Sequence, residues 1–574
     1  MGPRISLSRE LREQFELKRP EFLVWIEQQR QANNDSLHWW MSHLAGRNNA
    51  ASLLFLYICH IAALKNWIGS QANPPAQVLV VCEDAFLLSA LQSNLGSELE
   101  MRRHPSALLG IIWSGANALL RAGYVWSCEI YRCFQHARAA RKSRTRPTVR
   151  PRGHAVLIHQ CLDDKAFRAD GALVDRYFGV LPAWLDQHDR NVFRLPWLCN
   201  VRQPLSNVYQ FLRRHKVVVP EDFLTLTDYV VSFWHHLRTV FTRMESQLAG
   251  LQIGALVLRE RFEQFAAVNL VRFWFYGPAL KSWGRELNHL TLIDTYEGMP
   301  PEHVQAVTLK KQMPSVRYLG YCHSLVSRDF LAYWSLPGEW LSVVAPDTVV
   351  TNGRIGRTAL MDQGAPDQRL VSGPALRQQL CEDIPDTSRS GLLVLLTIDP
   401  DASCETLLKL SQCGDLLRRL GIPVRVKPHP MMRREKILPL LGWSDLPTGW
   451  VWGEGEIYEE LTTAHCCVAL YTAGVYDAVL AGCVVLSIAR ELGVMGNYLD
   501  LFQEEFPVLR AIQEEDIPDR LREMFGTRKA EYRADFRTLR QHLLDGLGPV
   551  NDDTLHAFLM LTSDGSQMSK DHMT

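Results

Sequence analysis

Several features are scarce or missing in this 574-residue chain, and each absence narrows its function. The 62 basic residues equal the 62 acidic ones, so no net charge would draw the protein to nucleic acid. The 13 cysteines include no CxxC pair and no regular His/Cys spacing, which argues against structural zinc and indicates reduced thiols. Residues 1–20 lack the apolar core of a secretory signal, so we expect a cytoplasmic protein.

The motifs of several large enzyme classes are also missing. The sequence contains no GxxxxGK(S/T) phosphate loop, no HExxH zinc motif and no GxSxG nucleophile elbow. Domains typically hold about 100–200 residues, so a chain of this length predicts two large domains with additions.

The first patterns of helix and strand lie between residues 37 and 81. Leu37 to Trp67 carries apolar residues at helical spacing, and Val78-Leu79-Val80-Val81 is an apolar run typical of a strand. This order predicts that an α/β domain begins here.

The segment 105–152 combines an uncharged stretch with a basic one. Ala107 to Leu120 has no charge but is shorter than the roughly 20 residues that span a bilayer. Cations then cluster between Arg138 and Arg152, without an acid among them. This combination is typical of an in-plane anchor on the anionic inner face of the plasma membrane. A buried helix followed by a solvated linker fits it equally well, so both interpretations stay open.

From His154 onward, apolar runs alternate with helical stretches and predict an α/β fold. Phe223 to Asn288 is rich in aromatic residues at helical spacing and predicts long core helices. Further helices are predicted at Asp175 to Gln187, interrupted near Pro182, at Glu405 to Leu420, and after Asp516. The predicted strands are 155–159, 191–195, 290–293, 316–320, 348–351, 391–396, 424–429, 466–471 and 484–488. Residues 372–377 are the predicted interdomain hinge.

Two short segments in the second half carry the most information. Val424 to Pro430 alternates apolar and basic residues and stops at a Pro-His-Pro turn, which places His429 where a strand enters a loop. Open α/β sheets bind ligands at such positions. Leu470 to Ala478 places a turn of small residues before a helix, and a helix start suits a phosphate.

On these segments the chain resembles the GT-B glycosyltransferases. It is more closely similar to bacterial surface-carbohydrate biosynthesis proteins and to the sialyl-, polysialyl- and Kdo-transferases with a His-Pro motif. The resemblance covers about residues 150–525 and is best at Leu292 to Arg377 and Val424 to Ile488. It implies two facing Rossmann-like domains. We expect an acceptor-side domain over 1–380 with a helical N-terminal segment, a nucleotide-sugar domain over 381–525, and a C-terminal helix with a frayed tail over 526–574.

The resemblance also implies roles for particular residues. Glu297, in Asp294-Thr295-Tyr296-Glu297-Gly298, becomes the general base, although Tyr296 replaces the first of two consecutive acids in the family pattern. Asp294 and Glu302 compete with it in the same loop, and Asp163 or Asp164 comes next. His429 would contact the donor phosphate, aided by the nearby cation Lys427. Thr472 and Gly474 match phosphate-binding small residues, and Asp477 stands where a glutamate often reaches the ribose.

Three further residues are candidates for the cleft. Asn352 and Arg354 follow the strand at Thr348, and His323 follows Gly320-Tyr321-Cys322. Each fits an ordinary structural role as well: a tight turn with a surface arginine, and a core histidine. Asp399 and Asp401 resemble a metal-binding DxD, but GT-B enzymes generally act without a catalytic metal, so we expect no metal and no cofactor.

The resemblance therefore predicts an inverting glycosyltransferase. It would move a sugar from a nucleotide donor, CMP-Kdo or a CMP-nonulosonate being favoured, to a lipid-linked or oligosaccharide precursor of lipopolysaccharide or capsule. Three alternatives share the fold: a polyol-phosphate transferase using CDP-glycerol, a non-catalytic scaffold of a polysaccharide assembly complex, and a non-hydrolysing sugar-nucleotide epimerase.

Overall fold

The structure is a computed structural model that describes residues 5–71, 79–96, 107–144, 149–188, 190–324, 326–378, 389–430, 432, 434–470, 472–495 and 498–562. Several predicted features therefore lie outside the described residues: Val78, Arg146, Tyr471, the start of the second domain at 381–388, and the tail beyond 562.

The helices are distributed along the whole described chain. They are α1 Ser8–Ala32, α2 Leu37–Trp40, α3 Leu54–Ser70, α4 Ala85–Leu95, α5 Ala107–Ser143, α6 Leu181–Gln187, α7 Leu205–Leu212, α8 Leu226–Thr239, α9 Gly254–Ala266, α10 Val271–Trp283, α11 Pro300–Gln312, α12 Arg354–Asp362, α13 Pro400–Ser411, α14 Gly414–Arg419, α15 Arg434–Leu441, α16 Ile457–Thr463, α17 Gly474–Leu480, α18 Ile517–Arg522, α19 Lys529–Gly546 and α20 Asp552–Thr562.

The strands form two parallel sheets and one short hairpin. They are β1 Gly153–Leu162, β2 Val192–Leu198, β3 Gln247–Leu248, β4 Leu251–Gln252, β5 Leu287–Thr295, β6 Val316–Cys322, β7 Thr348–Thr351, β8 Leu370–Ser372, β9 Leu392–Leu395, β10 Val424–Lys427, β11 Trp450–Trp452, β12 Cys466–Ala469 and β13 Val484–Leu486. The first sheet has the order β2-β1-β5-β6-β7-β8 and the second the order β11-β10-β9-β12-β13.

The burial of the central strands explains the continuous apolar runs in the sequence. Both sheets are covered by helices, so central strands are buried on both faces and do not alternate with polar residues. The whole of β9 and β12 is buried, as are Ala155 to Ile158 in β1. This architecture confirms the predicted α/β fold, with two Rossmann-like sheets and an additional helical N-terminal segment.

The prediction for residues 37–81 is wrong. Instead of one helix, α2 and α3 are separated by a loop in which Gly46 lies against the ring of Pro300. Leu79 to Val81 forms no strand, and the side chains of Leu79 and Val81 are 77% and 82% exposed. No strand of the described ranges pairs with this run, and an apolar run without a partner strand cannot complete its backbone hydrogen bonds.

Two smaller corrections concern helix ends. Pro182 does not interrupt a helix but occupies the first turn of α6, where its missing N–H costs nothing. The strand predicted to reach His429 ends at Lys427, which leaves the histidine in the following loop.

The C-terminal segment returns to the first sheet. Leu555 and Phe558 of α20 pack in one cluster with Val156, Ile158 and Tyr321 of that sheet. Leu547, after α19, pairs with Gly353 beside β7. The chain therefore crosses twice between its two sheets, and the second crossing covers part of the first domain.

A second junction joins the domains near the N-terminus. Arg12 of α1 lies 2.5 Å from the carboxylate of Asp329, and Ser8 donates a 3.0 Å hydrogen bond to Gln513. Asp500 accepts a 2.8 Å hydrogen bond from the backbone N–H of Arg328. No helix among the described residues is long and apolar enough to span a membrane.

Candidate functional site

Glu297 lies in the turn after β5, and the next residue of this turn, Gly298, has a backbone conformation that favours glycine. Gly298 has a φ of +68°, and a Cβ there would lie 2.3 Å from the carbonyl oxygen of Ala332. Glu302, in the first turn of α11, accepts hydrogen bonds of 2.9 Å from the N–H groups of Glu297 and Gly298. The turn is thus fixed from both sides, and the Glu297 side chain stays 33% exposed.

The two other acids of this loop are already engaged. Asp294 is 1% exposed, and its carboxylate contacts His159 Nδ1 at 2.7 Å and the Tyr318 hydroxyl at 3.0 Å. Both oxygens of Glu302 accept backbone N–H groups of the turn. These carboxylates hold the loop together, so Glu297 is the one acid of the three that faces open space.

Glu297 has a histidine beside it. Nε2 of His323, in the loop after β6, lies 3.3 Å from Glu297 Oε1. The His323 ring is buried and makes an edge contact with Tyr177, with ring centroids 4.5 Å apart. Burial raises the pKa of Glu297 and lowers the pKa of His323 well below its usual value, so the imidazole is neutral.

Arg377, after β8, lies at the centre of this group. Its guanidinium donates to Ser324 Oγ at 3.3 Å and lies 5.6 Å from the centre of the Tyr177 ring. Among the described residues, no carboxylate lies within ion-pair distance of it. The Arg377 charge offsets part of the rise that burial causes in the pKa of Glu297 and adds to the fall in the pKa of His323.

The same cation acts on the second domain. Burial lowers the pKa of His429, and together with smaller contributions from Arg377 and then Arg176 it brings the value to about 4. Burial raises the pKa of Asp477, and Arg377 offsets part of that change. Residues that follow β5, β6, β8 and β10 therefore come together at the carboxyl edges of the two sheets, where open α/β sheets bind ligands.

The remaining donor-side candidates have local partners. Lys427 donates to the backbone carbonyl of Gly455, and so it holds the loop after β11. Thr472 Oγ1 accepts from the N–H of Gly474 at 3.3 Å. A Cβ on Gly474 would lie 3.2 Å from side chains of Leu395 and Ile457, so close packing already requires this glycine. Asp477 accepts from the Tyr458 hydroxyl at 3.2 Å.

Asn352 follows β7 directly, and its assignment to the cleft stays a prediction. Its side chain is fully buried, and its backbone carbonyl accepts from the N–H of Gly548 in the returning C-terminal segment. Arg354 starts α12 and is exposed. Asp163 pairs with Arg176 at 2.5 Å, and Asp164 accepts from the backbone of Arg202.

Sequence reasoning missed Arg377, Tyr177 and Arg176. The sequence pattern places Arg377 in the predicted hinge, and it places Tyr177 in a helix that in fact begins at Leu181. The one available signal was that Arg377 ends the stretch of best resemblance. A polar contact, Lys165 Nζ to Glu456 Oε1 at 2.7 Å, also joins the two domains near this group.

A cavity lies elsewhere in the first domain, between α5 and the end of β2. Its walls include Trp197, Tyr229 and Tyr276, and the partly buried acid Glu221. None of the residues grouped around Arg377 lines it. The interdomain group is therefore the candidate site on chemical grounds, since it combines a partly exposed acid with a cation that has no ion-pair partner in the part of the chain that the structure describes.

Comparisons with known proteins give no family assignment. No family model matches the chain, and no curated protein matches it significantly. Solved structures with some similarity include the calicheamicin glycosyltransferase CalG4, with 12% identity and a TM-score of 0.40 over 71% of this chain and 98% of that one. MurG of Acinetobacter baumannii has 12% identity and a TM-score of 0.37, and the match covers 71% of this chain and 99% of that one. The UDP-GlcNAc 2-epimerase of Neisseria meningitidis has 11% identity and a TM-score of 0.38, and the match covers 68% of this chain and 100% of that one. Similarity at this level supports no inference about activity.

Proposed function

We propose that the protein is an inverting glycosyltransferase that uses a nucleotide-sugar donor in the interdomain cleft. The observation that carries the proposal is the position of Arg377. This one cation acts on Glu297 and His323 of the first domain and on His429 and Asp477 of the second. Glycosyl transfer needs such a combination, because a base and a charge-neutralising group must act on opposite sides of the anomeric carbon.

In this mechanism Glu297 takes the proton of the acceptor hydroxyl. The acceptor oxygen attacks the anomeric carbon as the bond from that carbon to the donor phosphate breaks. The electron pair of the broken bond leaves with the phosphate, and Arg377 neutralises the developing charge. Neutral His429 donates an N–H to a phosphate oxygen. The raised pKa of Glu297 suits a base better than that of an ordinary solvated glutamate.

The identity of the substrates rests on the sequence resemblance. It favours CMP-Kdo or a CMP-nonulosonate as donor and a precursor of a surface polysaccharide or lipopolysaccharide as acceptor. A lipid-linked acceptor would place the enzyme at the inner, anionic face of the plasma membrane. Lys427 and Thr472 belong to this proposal as neighbours of the donor, whereas Arg377 and His429 make the contacts with its phosphate.

A thermal-shift panel tests the proposal. CMP, CDP, UDP and GDP are compared first, followed by CMP-Kdo and CDP-glycerol. A ligand at 100 times its dissociation constant stabilises a protein by roughly 2.7 kcal/mol, which such an assay detects. We expect the cytidine nucleotides to stabilise the protein, and CMP-Kdo to do so more than CDP-glycerol.

The other outcomes separate the alternatives. A larger shift with CDP-glycerol favours the polyol-phosphate transferase, and a response to UDP alone favours the epimerase. A protein that none of these ligands stabilises would be a non-catalytic scaffold, and the proposed function would be wrong.

A further inference from the structure

Helix α5 exposes a continuous apolar line to solvent. Trp113, Leu120, Tyr124 and Tyr131 are 72%, 73%, 70% and 61% exposed. Their spacing of seven, four and seven residues places them on one face of a helix, because these steps return to nearly the same angle. Exposed apolar side chains are common singly, but a row of large ones marks an interaction surface.

Cations continue the same line toward the end of the helix. Arg138 and Lys142 follow Tyr131 at steps of seven and four residues, and both are exposed. The one acid of α5, Glu129, is buried and pairs with Arg272 of α10. The exposed face of α5 therefore carries apolar and basic groups with no carboxylate.

The opposite face of α5 is firmly packed. Ala122 and Ala140 are fully buried, and Trp126 donates a 2.8 Å hydrogen bond to the carbonyl of Phe265 in the last turn of α9. His136 contacts the Tyr209 hydroxyl of α7 at 2.9 Å. The helix is thus anchored to the first domain along its length, and its apolar line is not the result of a detached helix.

We propose that this face of α5, from Trp113 to Lys142, docks the protein on the surface of an anionic lipid bilayer. The aromatic and leucine side chains enter the boundary between headgroups and acyl chains, where Trp and Tyr are favoured, and the cations contact lipid phosphates. A second copy of the chain is a poorer occupant. If two such faces paired in parallel, Arg138 and Lys142 of one copy would lie close to the same cations of the other copy, and these like charges would repel. This inference does not rest on the proposed sugar chemistry.

Vesicle flotation with the full chain tests the docking surface. Vesicles of phosphatidylcholine mixed with phosphatidylglycerol are compared with vesicles of phosphatidylcholine alone, at low and high salt. We expect the parent to float with the anionic vesicles and at least about tenfold less with neutral ones, and high salt should weaken binding.

Two sets of substitutions locate the face. Trp113→Ser with Leu120→Ser and Tyr131→Ser should reduce flotation at least about tenfold, and Arg138→Gln with Lys142→Gln should remove the preference for anionic vesicles. The matched control is Leu226→Ser with Phe241→Ser, which changes side chains that are 81% and 78% exposed near the ends of α8. The control should float like the parent.

Three results would overturn the inference. The first is a parent protein that does not float. The second is flotation of the α5 variants at the parental level. The third is a parent dimer in solution that the α5 variants abolish while flotation is absent, which would assign the face to a second copy. Nucleotide stabilisation in solution should be the same for all these variants, so failure here is distinguishable from failure of the proposed function.

Discussion

At the scale of single residues, the loop after β5 shows how surroundings divide similar side chains into different roles. Asp294 and Glu302 are buried and fully engaged, whereas Glu297 is partly exposed beside His323. A sequence pattern can place three acids in one loop. The pattern does not show which of these carboxylates will accept hydrogen bonds from backbone N–H groups, because that depends on how the turn and α11 pack.

The first prediction concerns the base. Glu297→Gln keeps the shape of the side chain but cannot accept the acceptor proton, so the transfer rate should fall by roughly 10²–10⁴-fold. Nucleotide affinity should hardly change, since the loss occurs in the transition state. Steady-state kinetics with saturating donor measures the effect.

The matched control for this change is Glu286→Gln. Glu286 is an exposed glutamate that precedes β5 at the opposite end of the strand and pairs with Arg152 at the surface. It should retain parental turnover. If Glu297→Gln were equally active, the base would lie in another segment, and Asp163 or Asp164 would be examined next.

The second prediction is a pH dependence. The pKa of Glu297 is raised by burial, and Arg377 offsets part of this rise. The base acts only when it is deprotonated, so the acid limb of the rate profile should lie above the pH at which an ordinary glutamate titrates, about 4.3. Arg377→Gln removes the offset and should move that limb to higher pH. A limb that stays in place or moves to lower pH would contradict the assignment.

At the scale of secondary-structure elements, the strands that sequence reasoning located well are the largely buried ones. The predicted strand at Thr348 to Thr351 agrees with β7 in both bounds. Leu79 to Val81 shows a similar apolar run but forms no strand, because strand formation also requires a partner that local sequence does not specify. Arg377 could not be assigned for a related reason. Its role depends on how the two sheets approach each other.

The third prediction concerns the turn that presents Glu297. Gly298→Ala should destabilise the protein by more than the roughly 1–2 kcal/mol of left-handed backbone strain, since its Cβ would also meet the Ala332 carbonyl. Gly250→Ala is the control, because Gly250 has a φ of +79° but open space around its Cβ position. Thermal unfolding should show a larger drop for Gly298→Ala. Equal drops would mean that the turn can relax away from Ala332.

At the scale of the whole molecule, the junction of α1 with both domains contains an unusual acid. Burial and the nearby Asp329 raise the pKa of Asp500, the N–H of Arg328 and the charge of Arg12 counteract part of this rise, and the resulting pKa is about 7. Between about pH 4 and pH 7 the folded protein therefore holds a proton that the unfolded chain has lost. The free energy of unfolding should fall as the pH rises across this window.

The fourth prediction follows from this junction. Asp500→Asn cannot lose a proton, so the part of the pH dependence between about pH 4 and pH 7, on the order of 1–4 kcal/mol, should disappear. Asp415→Asn, an exposed acid of α14 in an ordinary surface pair, is the control. Denaturant unfolding at a series of pH values measures both. An unchanged slope in Asp500→Asn would show that the junction does not hold the extra proton.

The most direct test of the central claim is a calorimetric titration of CMP into the parent protein and into Arg377→Gln and His429→Ala. Charge-assisted hydrogen bonds to phosphate are worth about 1.5–3 kcal/mol, so we expect CMP to bind each variant at least about tenfold more weakly. Arg357→Gln, a surface cation of α12 paired with Asp367 at 2.7 Å, should bind CMP like the parent. Parental affinity in both Arg377→Gln and His429→Ala would place the nucleotide phosphate elsewhere and contradict the account.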